Sequence, residues 1–177
     1  YEMNVYYDPD TAGYKLNYHK LNPNTGKYEY QESTNVFEGN VNETYKVTDA
    51  DANYETKYQK DNYVVNPAKN ETYSVKIEEE NKTYEMDVYY DPIKTTYKTE
   101  YYLKNPDGSY TLKDTVPGEE TYAGKNVTAP EKSYDGYVHV TTPDSKESAV
   151  VEADGSTTMK VYFDPEKKPT YKVEYYV

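Results

Sequence analysis

The chain contains no cysteine, no tryptophan and no arginine. The lack of cysteine excludes disulfide bonds and thiolate metal sites. The lack of arginine removes the planar group that binds phosphate or carboxylate through two parallel hydrogen bonds. The formal net charge is -12, which argues against nucleic acid as a partner, because phosphate binding needs a positive surface. No apolar run reaches the roughly 20 residues of a membrane span, so we expect no membrane insertion.

Hydrophobic residues are also scarce, at 35% of the chain, whereas tyrosine occurs 26 times in 177 residues. A buried tyrosine ring removes roughly 150 to 250 Å² from water and can keep its hydroxyl near solvent. The composition therefore predicts thin cores built largely from tyrosine.

One nine-residue motif recurs and closes each repeating unit. It reads YEMDVYYDP at 84–92, YEMNVYYDP at 1–9 and, more loosely, TTMKVYFDP at 157–165. Its residue types alternate with the two-residue period of a half-buried strand. The proline ends the strand because it has no amide hydrogen for a ladder.

A second motif opens each unit. YKLNYHKLNPNTG begins at Tyr14 and YKTEYYLKNPDGS begins at Tyr97, and each alternating strand runs into a proline-asparagine-glycine or proline-aspartate-glycine turn. We therefore predict the closing strand of a preceding repeat at 1–9, one repeat at 14–92, a second at 97–165 and the opening strand of a following repeat at 171–177. The linkers are then 10–13, 93–96 and 166–170.

A helix is predicted between the opening and closing strands of the first repeat. Thr48 with Asp51 three positions later matches a capping box, Tyr54 and Tyr58 form an apolar stripe, and Asn62 suits a left-handed turn afterwards. In the second repeat the same signal at 128–131 allows only a single turn. The order of strand, strand, helix, strand and closing strand is the β-grasp pattern. The predicted fold class is a β-rich α+β protein with tandem β-grasp-like repeats in an elongated rod, because the linkers are too short for free tumbling.

The strand period also assigns faces. The residues expected to face the helix are Met86, Val88 and Tyr90 in the first repeat and Met159, Val161 and Phe163 in the second. The tyrosines at the opposite phase are Tyr6, Tyr89 and Tyr162. Exposed aromatic rings can stack on sugar rings or on a neighbouring repeat, which makes these three candidate contact residues. The alternative is that tyrosine is simply a good strand former.

Other candidate sites are weaker. Asp49, Asp51 and Asn53 have the first spacings of a calcium-binding EF-hand loop, but Tyr54 stands where that loop needs glycine. The alternative is that these acidic residues favour the positive end of a helix.

His19 and His139, at outward phases of strands, have no local catalytic partner. We therefore expect no cofactor and no enzymatic activity.

Several segments of the second repeat resemble a known family. They are YKTEYYLKNPDGSYTLKDT at 97–115, GKNVTAP at 124–130, DGY at 135–137 and ADGSTTMKVYFDP at 153–165. These segments are similar to the mucin-binding-protein (MucBP) repeats and the related internalin-type B-repeats of Gram-positive surface proteins, both β-grasp-like. The first repeat departs from the pattern, since Asn62 stands in place of the glycine of DGY.

The resemblance implies a structural or adhesive segment of a large extracellular protein at the surface or cell wall of a bacterium. Such a segment acts as a stalk or spacer and can contact host glycans or mucin. The implied partners are adjacent repeats of the same chain or of neighbouring chains, and glycans or mucin. The alternatives are a dedicated glycan-binding module and a self-assembling extracellular fibre subunit. The resemblance supplies no catalytic residues.

Overall fold

The structure is a computed structural model that describes residues 1–4, 10–69, 73–167 and 172–175. The chain divides into two compact units, Tyr1–Ile93 and Lys94–Val177. Strands predominate in both units, which confirms the prediction of a β-rich fold. Among the described residues, no helix is long and apolar enough to cross a membrane.

The first unit is organised around a parallel pair of strands. Its elements are β1 (Thr11–Asn22), β2 (Lys27–Ser33), β3 (Phe37–Asn40), β4 (Thr44–Lys46), α1 (Val47–Ala50), β5 (Tyr63–Val65), β6 (Ser74–Lys76) and β7 (Thr83–Pro92). The main sheet has the order β2-β1-β7-β5, with β3 pairing to β1, and β4 pairs with β6 in a separate ribbon. Strands β1 and β7 run parallel in the centre, whereas β2 and β5 flank them antiparallel.

The second unit repeats this arrangement with different lengths. Its strands are β8 (Lys94–Thr95), β9 (Lys98–Lys104), β10 (Tyr110–Pro117), β11 (Thr121–Tyr122), β12 (Asn126–Thr128), β13 (Tyr137–Val140), β14 (Ser148–Val150) and β15 (Thr158–Pro165). The main sheet has the order β10-β9-β15-β13, and the central strands β9 and β15 are parallel. Two short ribbons, β8 with β11 and β12 with β14, complete the unit.

The prediction of a helix in the first unit is wrong in the length of the helix and in its N-cap residue. Helix α1 spans only four residues, and two single 3-10 turns follow at Tyr54–Thr56 and Gln59–Asp61. The cap is Lys46, whose backbone N–H donates to Asp49 at 2.7 Å. The helix stops at Asp51 because this residue is extended and its carboxylate accepts hydrogen bonds from the Asn53 backbone and from a core tyrosine, Tyr18.

In the second unit the predicted single helical turn at 128–131 is also absent. Residues 129–136 cross the sheet without helical structure. Pro130 disfavours the helical conformation of Ala129 and has no amide hydrogen of its own. Its carbonyl instead accepts a hydrogen bond from the Tyr101 hydroxyl at 2.7 Å.

Some residues of the predicted linkers form strands. Thr11 to Gly13 belong to β1 and pair with β3, and Lys94 and Thr95 pair with β11. These residues are incorporated because neighbouring backbone segments satisfy their hydrogen bonds. Of the third predicted linker, only Glu166 and Lys167 are described. Of the predicted terminal strands, 5–9, 171, 176 and 177 lie outside the described residues, and 1–4 and 172–175 form no strand.

The assignment of the inner face is confirmed. Met86, Val88 and Tyr90 are 5%, 0% and 0% exposed, and Met159, Val161 and Phe163 are also buried. In the first unit they pack with Tyr14, Leu16 and Tyr18 of β1 and with Tyr54. We call this side of each main sheet the inner face and the opposite side the outer face.

Candidate functional site

The outer face of the second unit carries three packed aromatic rings. Tyr162 of β15 stacks on Tyr102 of β9 with ring centroids 5.0 Å apart, and the edge of Tyr110 from β10 meets Tyr162 at 4.9 Å. Tyr162 is only 6% exposed as a result. The expectation that it projects into solvent is therefore wrong, because neighbouring strands place their own aromatic side chains over it.

The first unit has the same arrangement at the corresponding positions. Tyr89 of β7 stacks on His19 of β1 at 5.0 Å, and the edge of Tyr28 from β2 meets Tyr89 at 4.9 Å. Tyr89 lies on the outer face as expected, but it is half-buried rather than open. The Lys69 ammonium lies 4.7 Å from the Tyr28 ring centroid and 4.9 Å from that of Tyr89, within the range of a cation–π interaction. Tyr6, the third predicted contact residue, lies outside the described residues.

In each of these aromatic groups, the tyrosine on the second strand of the unit donates a hydrogen bond to an aspartate. Tyr28 donates its hydroxyl proton to Asp91 at 2.5 Å, and Tyr110 donates to Asp164 at 2.6 Å. Both acceptors belong to the Asp-Pro of the closing motif, which by its residue types predicts only the end of a strand. In both units the sequence has an aspartate at the end of the closing motif and a tyrosine just after the turn of the opening motif. This recurrence is the sequence signal that could have predicted the hydrogen bond.

Positive and amide groups complete the surroundings of these carboxylates. The Lys104 ammonium lies 2.8 Å from Asp164, and this pair, followed by the Tyr110 hydrogen bond, holds the pKa of Asp164 below its ordinary value. In the first unit the Asn66 side-chain amide donates to Asp91 at 2.8 Å. The Asp164 carboxylate is therefore held in its charged form, and the hydrogen bonds hold both carboxylates in fixed positions.

Each cluster extends to an exposed apolar side chain on the second strand. Tyr30, opposite His19, is 59% exposed, and Leu112, opposite Tyr102, is 46% exposed. We call the resulting surfaces the outer patches. The outer patch of the first unit is His19, Tyr28, Tyr30 and Tyr89, and that of the second is Tyr102, Tyr110, Leu112 and Tyr162. Such a surface can offer ring faces to an apolar ligand surface and polar groups to hydroxyls.

The candidate metal residues are occupied by local hydrogen bonds. Asp49 accepts from the Lys46 backbone, and the two oxygens of Asp51 accept from Asn53 and from the Tyr18 hydroxyl. Within the described ranges, no group of three or more histidine and carboxylate side chains has a metal-binding arrangement. The acidic residues in this stretch of the chain therefore act as hydrogen-bond acceptors for the fold.

The two histidines lie in different surroundings. His19 contacts Asp87 at 2.9 Å on the outer face. His139 contacts Glu147 at 2.8 Å, beside a cavity of about 420 Å³ on the inner face of the second unit. The cavity is bounded by Ala129, Pro130, Lys132, Val161 and Phe163 among others. It lies where the sheet is crossed by an extended segment rather than by a helix.

Comparisons with known proteins find distant structural likeness only. No family model and no curated protein sequence matches the chain. The chain is similar to a type 2 repeat of the mucus-binding protein MUB from Lactobacillus reuteri, with 15% identity, a TM-score of 0.28, and 86% of this chain and 99% of that chain covered. For Mub-RV the identity is 15%, the TM-score 0.29, and the coverage 88% and 100%.

A third similar structure contains Streptococcal High Identity Repeats in Tandem (SHIRT) domains 3–4 from a cell surface protein. Its identity is 12%, its TM-score 0.36, and the coverage is 86% of this chain and 98% of that chain. These values are too low to assign the chain to a family.

Proposed function

We propose that this chain is a non-catalytic repeat segment of an extracellular bacterial surface protein, in which it serves as a stalk and presents an adhesive surface. The observation that carries the proposal is the recurrence of one aromatic arrangement on the outer faces of both units. Tyr28, Tyr89 and Asp91 in the first unit have counterparts in Tyr110, Tyr162 and Asp164 in the second. Repetition of an apolar surface along a chain gives many weak contacts that add through avidity.

The sequence motifs support the same proposal. The opening motif begins each repeat and the closing motif ends it, in the same order both times. The second unit also resembles MucBP repeats and internalin-type B-repeats. The sheet order β2-β1-β7-β5, with its central strands parallel, supports a β-grasp-like repeat. The repeat boundaries that we propose are 1–9, 14–92, 97–165 and 171–177, with the units joined end to end. Thr11 to Gly13 and Lys94 to Thr95 add their strand pairing to the repeat that follows each of them. Small-angle scattering from an elongated particle would support this arrangement, and a compact particle would contradict it.

Glycans or mucin are the proposed ligands of the outer patches. The apolar faces of sugar rings can pack on Tyr30 or Leu112, whose side chains are exposed. The carboxylate of Asp91 or Asp164 beside a tyrosine hydroxyl can bond sugar hydroxyls.

The test measures the retention of two double-alanine variants, each at exposed residues, on a glycan array and on mucin-coated surfaces. Tyr30→Ala with Leu112→Ala should reduce retention. Val36→Ala with Val150→Ala, at residues 58% and 53% exposed away from the outer patches, should leave retention unchanged. Equal loss in both variants, or no retention of the unaltered chain, would contradict adhesion through the outer patches. Sedimentation over a concentration range separates the fibre alternative, which requires growth with concentration.

A further inference from the structure

The path of the chain through each unit determines how a pulling force would act on it. The first unit begins with β1 and ends with β7, and these two strands are adjacent and parallel. The second unit begins its main sheet with β9 and ends it with β15, again adjacent and parallel. A force applied between the two ends of a unit therefore acts along the axes of two strands that are bonded to one another.

Parallel neighbours pulled at opposite ends must slide past one another. Their ladder then breaks only when many hydrogen bonds fail together, because each bond carries part of the load. In the first unit the register runs from Gly13 opposite Thr83 to Lys20 opposite Tyr90. In the second it runs from Lys98 opposite Thr158 to Leu103 opposite Phe163. Evenly spaced bonds of a parallel ladder distribute the load over the paired length.

Side chains on the outer face add resistance to sliding in the first unit. Lys15 of β1 lies 3.0 Å from Glu85 of β7. The Asn17 amide donates to Glu85 at 2.8 Å and to Asp87 at 3.3 Å, and Asn17 is 92% buried. His19 contacts Asp87 at 2.9 Å. A shift of one residue along the strand would break these contacts and would exchange the inner and outer faces.

The inner face adds a second resistance. Tyr18 and Val88 are register partners with 1% and 0% exposure, and Leu16 and Met86 are partners with 0% and 5% exposure. Sliding would expose these apolar side chains to water, which opposes the movement.

We propose that each unit is a mechanical clamp whose parallel first and last strands resist extension when the chain is pulled from its ends. The clamp is a property of each unit by itself. Only its use in a tethered surface protein, which must withstand flow while bound, rests on the proposed function. Forced unfolding depends on the unfolding rate rather than on equilibrium stability, so the clamp need not appear in a melting temperature.

The absence of cysteine allows the direction of load to be chosen in the full chain. Asp10→Cys with Lys94→Cys places handles just before β1 and just after β7, so that load shears the parallel pair. Thr25→Cys with Lys94→Cys places them at the β1–β2 turn and after β7, where both strands end. Load then separates the strands from one edge and breaks the ladder bonds one after another.

Single-molecule force spectroscopy on the two variants tests the clamp. We expect the first unit to unfold at a several-fold higher force in the shear geometry than in the peeling geometry. Thermal melting should be the same for both variants, which excludes a difference in folding. An equal or lower force in the shear geometry would overturn the proposal. A failed glycan test with a retained force difference would leave the clamp standing and reject only adhesion.

The second unit gives an independent check. Thr96→Cys with Glu166→Cys loads β9 against β15 in shear, and Pro106→Cys with Glu166→Cys peels them from the turn end. The same order of forces is expected. A force difference in only one unit would contradict the assignment of the clamp to the shared strand arrangement.

Discussion

Tyr102 and Tyr162 are register partners on the parallel central strands of the second unit, and their rings stack with 16° between the planes. The corresponding partners in the first unit, His19 and Tyr89, also stack. The outer face of each sheet is therefore packed by the side chains of its own unit. This arrangement gives a thin sheet a second apolar layer without a covering helix.

Tyr162→Ala should destabilise the second unit about as much as Phe163→Ala. Truncation of a buried aromatic side chain typically costs about 3 to 5 kcal/mol. Urea unfolding of the two variants measures this free energy. Val150→Ala, at a 53% exposed residue of the same unit, serves as the control and should change it by less than about 0.5 kcal/mol. A similarly small effect for Tyr162→Ala would contradict the packing of the outer face.

Asp51→Ala should destabilise the first unit by roughly 1 to 3 kcal/mol, because it leaves a buried hydroxyl without its acceptor. Tyr18 is 1% exposed and donates to Asp51 at 2.6 Å. Tyr18→Phe combined with Asp51→Ala should cost less than the sum of the single changes. Chemical denaturation of the four proteins in this cycle gives the coupling energy. If the destabilisation of the double variant equals the sum of the two single effects, the Tyr18–Asp51 hydrogen bond contributes nothing to stability.

Gly39→Ala should destabilise the first unit by about 1 to 3 kcal/mol through overpacking. A methyl group there would lie 2.5 Å from the Tyr45 ring and 2.6 Å from Ile77, which is fully buried. Thermal unfolding monitored by circular dichroism measures the effect. The neighbouring exposed position serves as the control, since Glu38→Ala should be nearly neutral. Equal melting temperatures for the two variants would mean that the Tyr45 ring moves away without cost.

Stability should fall as the pH rises through the window between 10 and 12. The hydrogen bond to Glu100 raises the pKa of Tyr102 to about 12, and burial raises the pKa of Tyr54 to about 12. An unfolded tyrosine has a pKa of about 10, so in this window the unfolded chain loses protons that the folded chain keeps. Each such tyrosine lowers the unfolding free energy by about 1.36 kcal/mol per pH unit, and its contribution is complete below pH 10.

Tyr102→Phe and Glu100→Gln should both reduce this slope, the first by removing the titrating group and the second by removing the charge that holds its proton. Denaturant unfolding at a series of alkaline pH values gives the slope directly. If the dependence of unfolding free energy on pH is unchanged in both variants, the Tyr102–Glu100 hydrogen bond is not the cause of the raised Tyr102 pKa.

The sequence by itself determined the features that depend on local chemistry. The two-residue period assigned Met86, Val88 and Tyr90 to one face of a strand, because successive side chains point to opposite sides of a sheet. It also predicted the left-handed turn at Asn62, which has φ 64°. Asparagine tolerates that conformation better than most residues, and Gly136 occupies the corresponding turn of the second unit with φ 73°.

Only the tertiary structure decided what covers those strands. Asp51 is drawn out of the predicted helix because Tyr18, 33 residues earlier, supplies a buried hydroxyl that needs an acceptor. Tyr162 is buried although its phase is outward, because Tyr102 and Tyr110 reach it from two other strands. Pairing between strands that are distant in sequence places these groups together, and the free energy of burying polar and aromatic side chains then overrides local preference.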